Sequence, residues 1–265
     1  MNLHQLFLTK NECYKDGKTI TPKGIMVHST GADNPNLRRY VGPDDGLLGA
    51  NQNGNCWNVP GLYVCVHAFV GLLDDGTVAT YQTLPWHWRG WHAGGPANNT
   101  HISFEICEDD LTDAEYLKKV YREAVELTAH LCKLYHLDPL ADGVVICHSE
   151  GFTRGISSNH SDVMHWWPRH GLSMDTFRAA VAAEMEDDEM FSYEQWKEYQ
   201  TKYEAEKANA EPADWSQEAR TWAEENGIIA GDGSGKMQYK GACTREQMVV
   251  FLYRFFGVVK KLFGK

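Results

Sequence analysis

Two apolar runs of strand length, KGIMVH at 23–28 and GVVICH at 143–148, each end in a histidine, and a long amphipathic segment lies between them. That segment, 113–135, places Tyr116, Leu117, Val120, Tyr121, Ala124, Leu127, Leu131 and Leu134 at helical spacing, with Thr112 or Asp113 as its N-cap. Short apolar runs bounded by turns and joined through such a helix are the pattern of a sheet covered by helices. Two further runs support it. LYVCVHAFV at 62–70, the DDG turn at 74–76 and the following TVATYQ read as a hairpin, and HISFEIC at 101–107 reads as another strand. A helix is predicted over 174–185, starting near Ser173. The fold class is therefore α/β: a mixed central sheet flanked by helices over residues 1–185, plus a small helical C-terminal module.

Between the two, residues 186–212 are charged, free of proline until their end and rich in helix formers, which predicts a helical linker. The stretch 184–212 holds ten acidic and three basic residues, so −7 of the chain's net charge of −11 falls there. An acidic balance argues against a nucleic-acid phosphate backbone as the main partner. No segment approaches the roughly 20 apolar residues of a membrane span, so stable membrane insertion is not expected. The first residues lack the basic start and apolar run of a signal peptide, and synthesis in the cytoplasm is expected. Seven cysteines with no CxxC pair indicate small buried thiols rather than a disulfide framework or a cysteine zinc knuckle. The C-terminal module, 213–265, reads as a helix at 215–226, a glycine-rich turn at 231–235 and a second helix at 244–256, present in one copy.

Of twelve histidines, His28, His67, His87, His92, His148, His160 and His165 fall where strands and loops meet. A histidine alone is more often structural than a ligand, but two at strand ends point together towards a metal. A hydrolytic zinc site needs three protein ligands and one position left for water. In ISFEIC, alternation puts Ile102, Phe104 and Ile106 on one face and Ser103, Glu105 and Cys107 on the other. Alternation does not say which face is covered.

The segments MVHST (26–30), CVHAFVG (65–71), WHAGG (91–95), ISFEIC (102–107), CHSEG (147–151) and HSDVMHWWPRHG (160–171) resemble, in that order, the zinc-dependent N-acetylmuramoyl-L-alanine amidase family. That family includes phage endolysins and is related to peptidoglycan recognition proteins. The resemblance implies zinc-assisted hydrolysis of the amide between N-acetylmuramic acid and the L-alanine of the stem peptide. It carries His28, His148 and Asp162 over as zinc ligands, with His160 and His165 as rivals for the third place. Glu105 matches the acidic residue that handles the proton. His160 stands where the family usually has a lysine, and would donate to the oxyanion. Where some members have a tyrosine, this chain has Val66. Trp91 and His92 are expected at the border of the cleft, with Thr30 and Asn99 as further substrate contacts; His67 either contacts substrate or supports a metal ligand, or is a packed histidine, and Glu150, Arg154 and Arg169 either position the stem peptide or are plain surface charges.

The C-terminal stretch, with its DW start, WAEENGI, GDGSG and TREQMVVFLYRF, resembles a single S-layer homology repeat. Such repeats imply a secondary cell-wall polymer as partner, with Thr244 and Arg245 as candidate contacts, or pairing with the same module of another copy as a homodimer. The expected protein is thus a peptidoglycan hydrolase of endolysin type that acts at the cell wall after release. A non-catalytic peptidoglycan-binding protein, or a cytoplasmic amidase recycling muropeptides, are the alternatives.

Overall fold

The structure, a computed structural model, describes residues 1–187, 193–231 and 235–264. The chain divides into two compact units, Met1–Asp188 and Glu189–Lys265.

In the first unit, six strands among the described residues form one sheet: β1 (Leu3–Gln5), β2 (Gly24–Asp33), β3 (Ala68–Leu72), β4 (Val78–Gln82), β5 (His101–Glu108) and β6 (Val145–Cys147). Their order is β1-β4-β3-β5-β2-β6. The β3–β4 pair is antiparallel, the hairpin expected around the DDG turn, and the other neighbours run parallel. The sheet is thus mixed.

Alternation decides the two faces. Ile25, Val27, Ala68, Val70, Ile102, Phe104 and Ile106 point to one side and pack against α2 (Ala114–Tyr135), whose inner stripe includes Leu117, Val120, Ala124, Leu127 and Leu131. Burying each such side chain contributes roughly 1.5–3 kcal/mol. Asp113 caps α2, accepting the backbone N–H groups of Glu115 and Tyr116 at 2.9 and 3.0 Å. The short helix α1 (Glu12–Asp16) precedes β2, and its buried Cys13 joins the core of the opposite face around Phe69 and Tyr81. That opposite face also receives Met26, His28, Ser103 and Glu105.

After β6 come α3 (His148–Thr153), α4 (Val163–Trp166) and α5 (Met174–Asp187). Trp166 and Trp167 are fully buried under α2, stacked near Tyr116 and edge-on to Tyr121. These indoles anchor the end of α4 to the core, and buried Val163 holds its start beside Asp162.

Two expectations shift. The strand expected over 62–70 begins only at Ala68: Cys65 bridges Trp91 outside the sheet, and the chain joins β5 only from His67, whose N–H donates to the Ser103 carbonyl. Tyr63 and Val64, apolar in sequence, are exposed. The run 143–148 yields a strand of three residues, with His148 already the first residue of α3. β1 and α1 are too short for periodicity to reveal.

The second unit contains α6 (Tyr193–Asn209), α7 (Gln217–Glu225) and α8 (Arg245–Phe263). Most of the glycine-rich turn, 232–234, lies outside the described residues, as do 188–192 of the linker. Thr244 accepts the Gln247 N–H at 3.1 Å while the Gln247 side chain accepts the Thr244 N–H at 2.8 Å, so this candidate contact closes a capping box on α8.

Candidate metal centre

The middle of β2 lies beside the end of β6, with Val27 level with Cys147; β2 continues to Asp33, so His28 does not close its strand as expected. The next residue on each is a histidine, so His28 and His148 meet where β6 stops, their ring centroids 4.9 Å apart and their planes nearly perpendicular. The two Nδ1 atoms are 3.2 Å apart. Asp162 Oδ2 completes the triangle, 3.0 Å from His148 Nδ1 and 3.4 Å from His28 Nδ1. Among the described residues this trio is a group able to hold a metal ion.

The fit is metric. Ligand atoms around a tetrahedral zinc at the usual zinc–nitrogen distance sit about 3.3 Å from one another, and the three edges bracket that value. The protonation states fit too. Burial pushes His28 below the ordinary imidazole range despite the pull of Asp162, which leaves a neutral ring. Burial opposes ionisation of Asp162, but hydrogen bonds from His148 and His28 outweigh it and hold the carboxyl well below the usual range. The neutral His28 ring and the ionised Asp162 carboxylate are the forms that ligate a divalent cation.

Asp162 occupies the N-cap of α4, where its carboxylate would ordinarily accept backbone N–H groups, yet it makes no such bond and turns to the histidines instead. Its backbone sits at φ +43°, a left-handed conformation that costs a non-glycine residue roughly 1–3 kcal/mol.

Around the trio the other ring nitrogens are occupied. His28 Nε2 lies 3.0 Å from His92 Nδ1, and His148 Nε2 lies 3.2 Å from Ser158 Oγ, which donates to the Ala93 carbonyl at 3.3 Å. If Nδ1 is the ligand atom, each Nε2 carries the proton and donates outward, so His92 and Ser158 fix both tautomers. Ser158 comes close because Gly94, at φ +61°, has no side chain; a Cβ there would lie 2.7 Å from Ser158 Oγ. Asn98, buried, accepts the N–H groups of His92 and Ala93 at 2.9 and 2.8 Å and so shapes this loop. Asn98→Ala is expected to cost about 2 kcal/mol, read by denaturant unfolding, because two buried donors lose their acceptor.

Glu105 stands level with His28 on the adjacent strand β5 and shares its face. Its Oε2 is buried and has no hydrogen-bond partner among the described residues. Burial, then the charges of Asp162 and Glu108, push its carboxyl well above the usual range. His160 is exposed, with its ring centroid 4.8 Å from that of His148. His165, the other rival for the third ligand place, is instead 3.1 Å from Glu108 and outside the trio.

The remaining candidates have contacts of their own. His92 braces a ligand from behind. His67 is fully buried with both nitrogens spent: Nε2–H donates to the Trp88 carbonyl at 2.7 Å, and Nδ1 accepts the Ser103 N–H at 3.0 Å. It has nothing left for a substrate. Thr30 Oγ1 accepts the Glu108 N–H, and Asn99 accepts from Arg89. Trp91 is half exposed under the Arg89 guanidinium, 4.7 Å from its ring, and with Tyr63 lines a cavity of about 480 Å³. Glu150 pairs with Arg178 at 3.0 Å and Arg154 with Asp142, so both are structural ion pairs. Ser158 and Asn98 carry no mark in the sequence.

Burial lowers His67 to a pKa of about 4. Between that value and the unfolded 6.5, the unfolded chain binds a proton that the folded protein refuses. Stability is therefore lost as pH falls through that window, by about 3 kcal/mol at the lower end. Urea melts from pH 7 to 4 should show this slope, and His67→Gln should flatten it.

A match to the family model described as N-acetylmuramoyl-L-alanine amidase spans residues 18–168, more than half of the chain and all of the trio. The chain belongs to that amidase family. No curated protein matches it. Among solved structures, the Staphylococcus aureus hydrolase AmiA in complex with its ligand is 20% identical, with a TM-score of 0.51 over 70% of this chain and 83% of that one. A mutant endolysin from Bacillus subtilis is 24% identical, with a TM-score of 0.45 over 68% of this chain and 99% of that one. The AmiA likeness bears on the fold alone: this amidase shares a mixed sheet with flanking helices.

Proposed function

We propose that the chain hydrolyses the amide bond between N-acetylmuramic acid and the L-alanine of peptidoglycan stem peptides, with a zinc ion held by His28, His148 and Asp162. The observation that carries this reading is the triangle of His28 Nδ1, His148 Nδ1 and Asp162 Oδ2, whose edges of 3.0–3.4 Å suit a tetrahedral metal. Bound there, zinc supplies Lewis acidity, polarising the scissile carbonyl and easing deprotonation of water.

The protein's own groups do the rest. Glu105 Oε2, left without a partner in the resting site, takes the proton from the attacking water as its oxygen bonds to the carbonyl carbon. The same carboxyl then passes that proton to the leaving nitrogen, the C–N bond breaks, and a lactyl carboxylate and a free L-alanine amino terminus result. His160, at the exposed side of His148, donates an N–H to the carbonyl oxygen as negative charge grows there. His92 and Ser158 hold the two ligand rings in register. We read the C-terminal unit as a module for a secondary cell-wall polymer, and the place of action as the cell wall after release from the cytoplasm.

The test is metal content together with release of L-alanine amino termini from purified walls, for the wild type and His160→Ala. About one zinc per chain and new amino termini, with His160→Ala keeping metal but slower by roughly 10²-fold, support the reading. A wild type that binds walls, holds no metal and releases nothing overturns it in favour of a non-catalytic binder. Loss of zinc in His160→Ala would place the third ligand at His160.

A further inference from the structure

We propose that α8 is a dimerisation helix whose partner is α8 of a second copy of this chain, packed antiparallel about residue 254. No residue of this 19-residue helix is buried. One side is engaged by its own unit: the Arg254 guanidinium donates to the Ile228 carbonyl at 3.3 Å, and the Phe255 ring lies 6.4 Å from that of Trp222. The side away from Arg254 carries Val249, Leu252, Phe256 and Phe263, exposed by 65, 61, 58 and 84%, with Val259 half-buried between the last two. From Val249 these five residues recur at steps of three, four, three and four. That is the heptad seam of helices that pack knobs into holes, and an apolar stripe of this length is covered in a soluble protein.

The seam fits its own copy in one direction. Antiparallel about residue 254, Val249 meets the partner's Val259 and Leu252 meets the partner's Phe256, each layer pairing a small or medium side chain with its complement. On the flank of the seam the same alignment brings Glu246 diagonally across from the partner's Lys260, two positions off level and within reach of these long side chains, and symmetry repeats the ion pair at the other end. Arg245 then faces the partner's Phe263, cation against ring. Parallel packing instead sets Arg245 against the partner's Arg245 within the seam and leaves Glu246 and Lys260 without opposite charges.

Sedimentation of the full chain from about 1 to about 100 μM tests this. The wild type is expected to reach a dimer. Glu246→Lys and Lys260→Glu should each weaken it about tenfold or more, since each turns two attractions into repulsions, and the double reversal should restore it. Leu252→Asp should give a monomer. Helix content by circular dichroism serves as the fold control, since all these positions are exposed. A wild type that stays monomeric throughout overturns the proposal, including one that instead binds anionic lipid vesicles. Reversals without effect, or a double variant as weak as the singles, overturn the antiparallel pairing.

Discussion

Asp162→Ala is expected to lose the metal and to slow peptidoglycan amide hydrolysis by roughly a thousandfold or more. The carboxylate is the third corner of the ligand triangle, and two imidazoles alone do not make a closed zinc site. Metal analysis beside the rate of amino-terminus release checks both halves. A companion variant separates ligand from scaffold. Because Asp162 holds φ +43°, alanine inherits the strain and glycine relieves it. Asp162→Gly should therefore be as inactive as Asp162→Ala yet more stable by about 1 kcal/mol. Equal stability of the two would show that the backbone there stores nothing.

Glu105→Gln is the second large effect. The amide cannot exchange a proton with water or leaving group, so the rate should fall by about 10²–10⁴ while zinc stays bound. Stability should move the other way. The carboxyl is pushed up by burial and by neighbouring negative charge, so in the wild type its ionisation costs stability increasingly as pH rises from the unfolded value near 4.5 through the raised folded one. Glutamine carries no such cost. The gap in melting temperature should open above pH 4.5 and reach a few degrees at neutral pH in favour of the variant. A variant that is inactive because it has lost metal, or one less stable at every pH, would contradict the role given to Glu105.

What the sequence reveals of this site follows from where its signals are local. His28 and His148 each close an apolar run, and a polar group at the end of such a run is visible in the string itself, although β2 continues five residues past His28. Glu105 is half legible: alternation separates Ser103, Glu105 and Cys107 from the apolar face, but the burial of Ile102, Phe104 and Ile106 under α2 is a tertiary fact. Asp162 comes from family resemblance, since its loop has no periodicity. The contact of His92 with His28 is not legible, because the two lie 64 residues apart and no local rule reports such a pair. His67 has two readings in the sequence, substrate contact or packed ring, and only the fold chooses the second, by placing the ring between the Trp88 carbonyl and the Ser103 amide. The C-terminal helix, by contrast, announces its start through Thr244 and Gln247, both local.

The separation of the ligands along the chain sets an order of events. His28 and His148 are 120 residues apart, and His28 and Asp162 are 134 apart. β6 occupies the last place in the sheet beside β2, and α4 follows it. A chain growing from its N-terminus therefore carries no hydrolytic centre until almost the whole first unit has been made and its final strand has been laid down. Closure of the His28–His148–Asp162 triangle is thus among the last events of folding, and a truncated or misfolded copy lacks it.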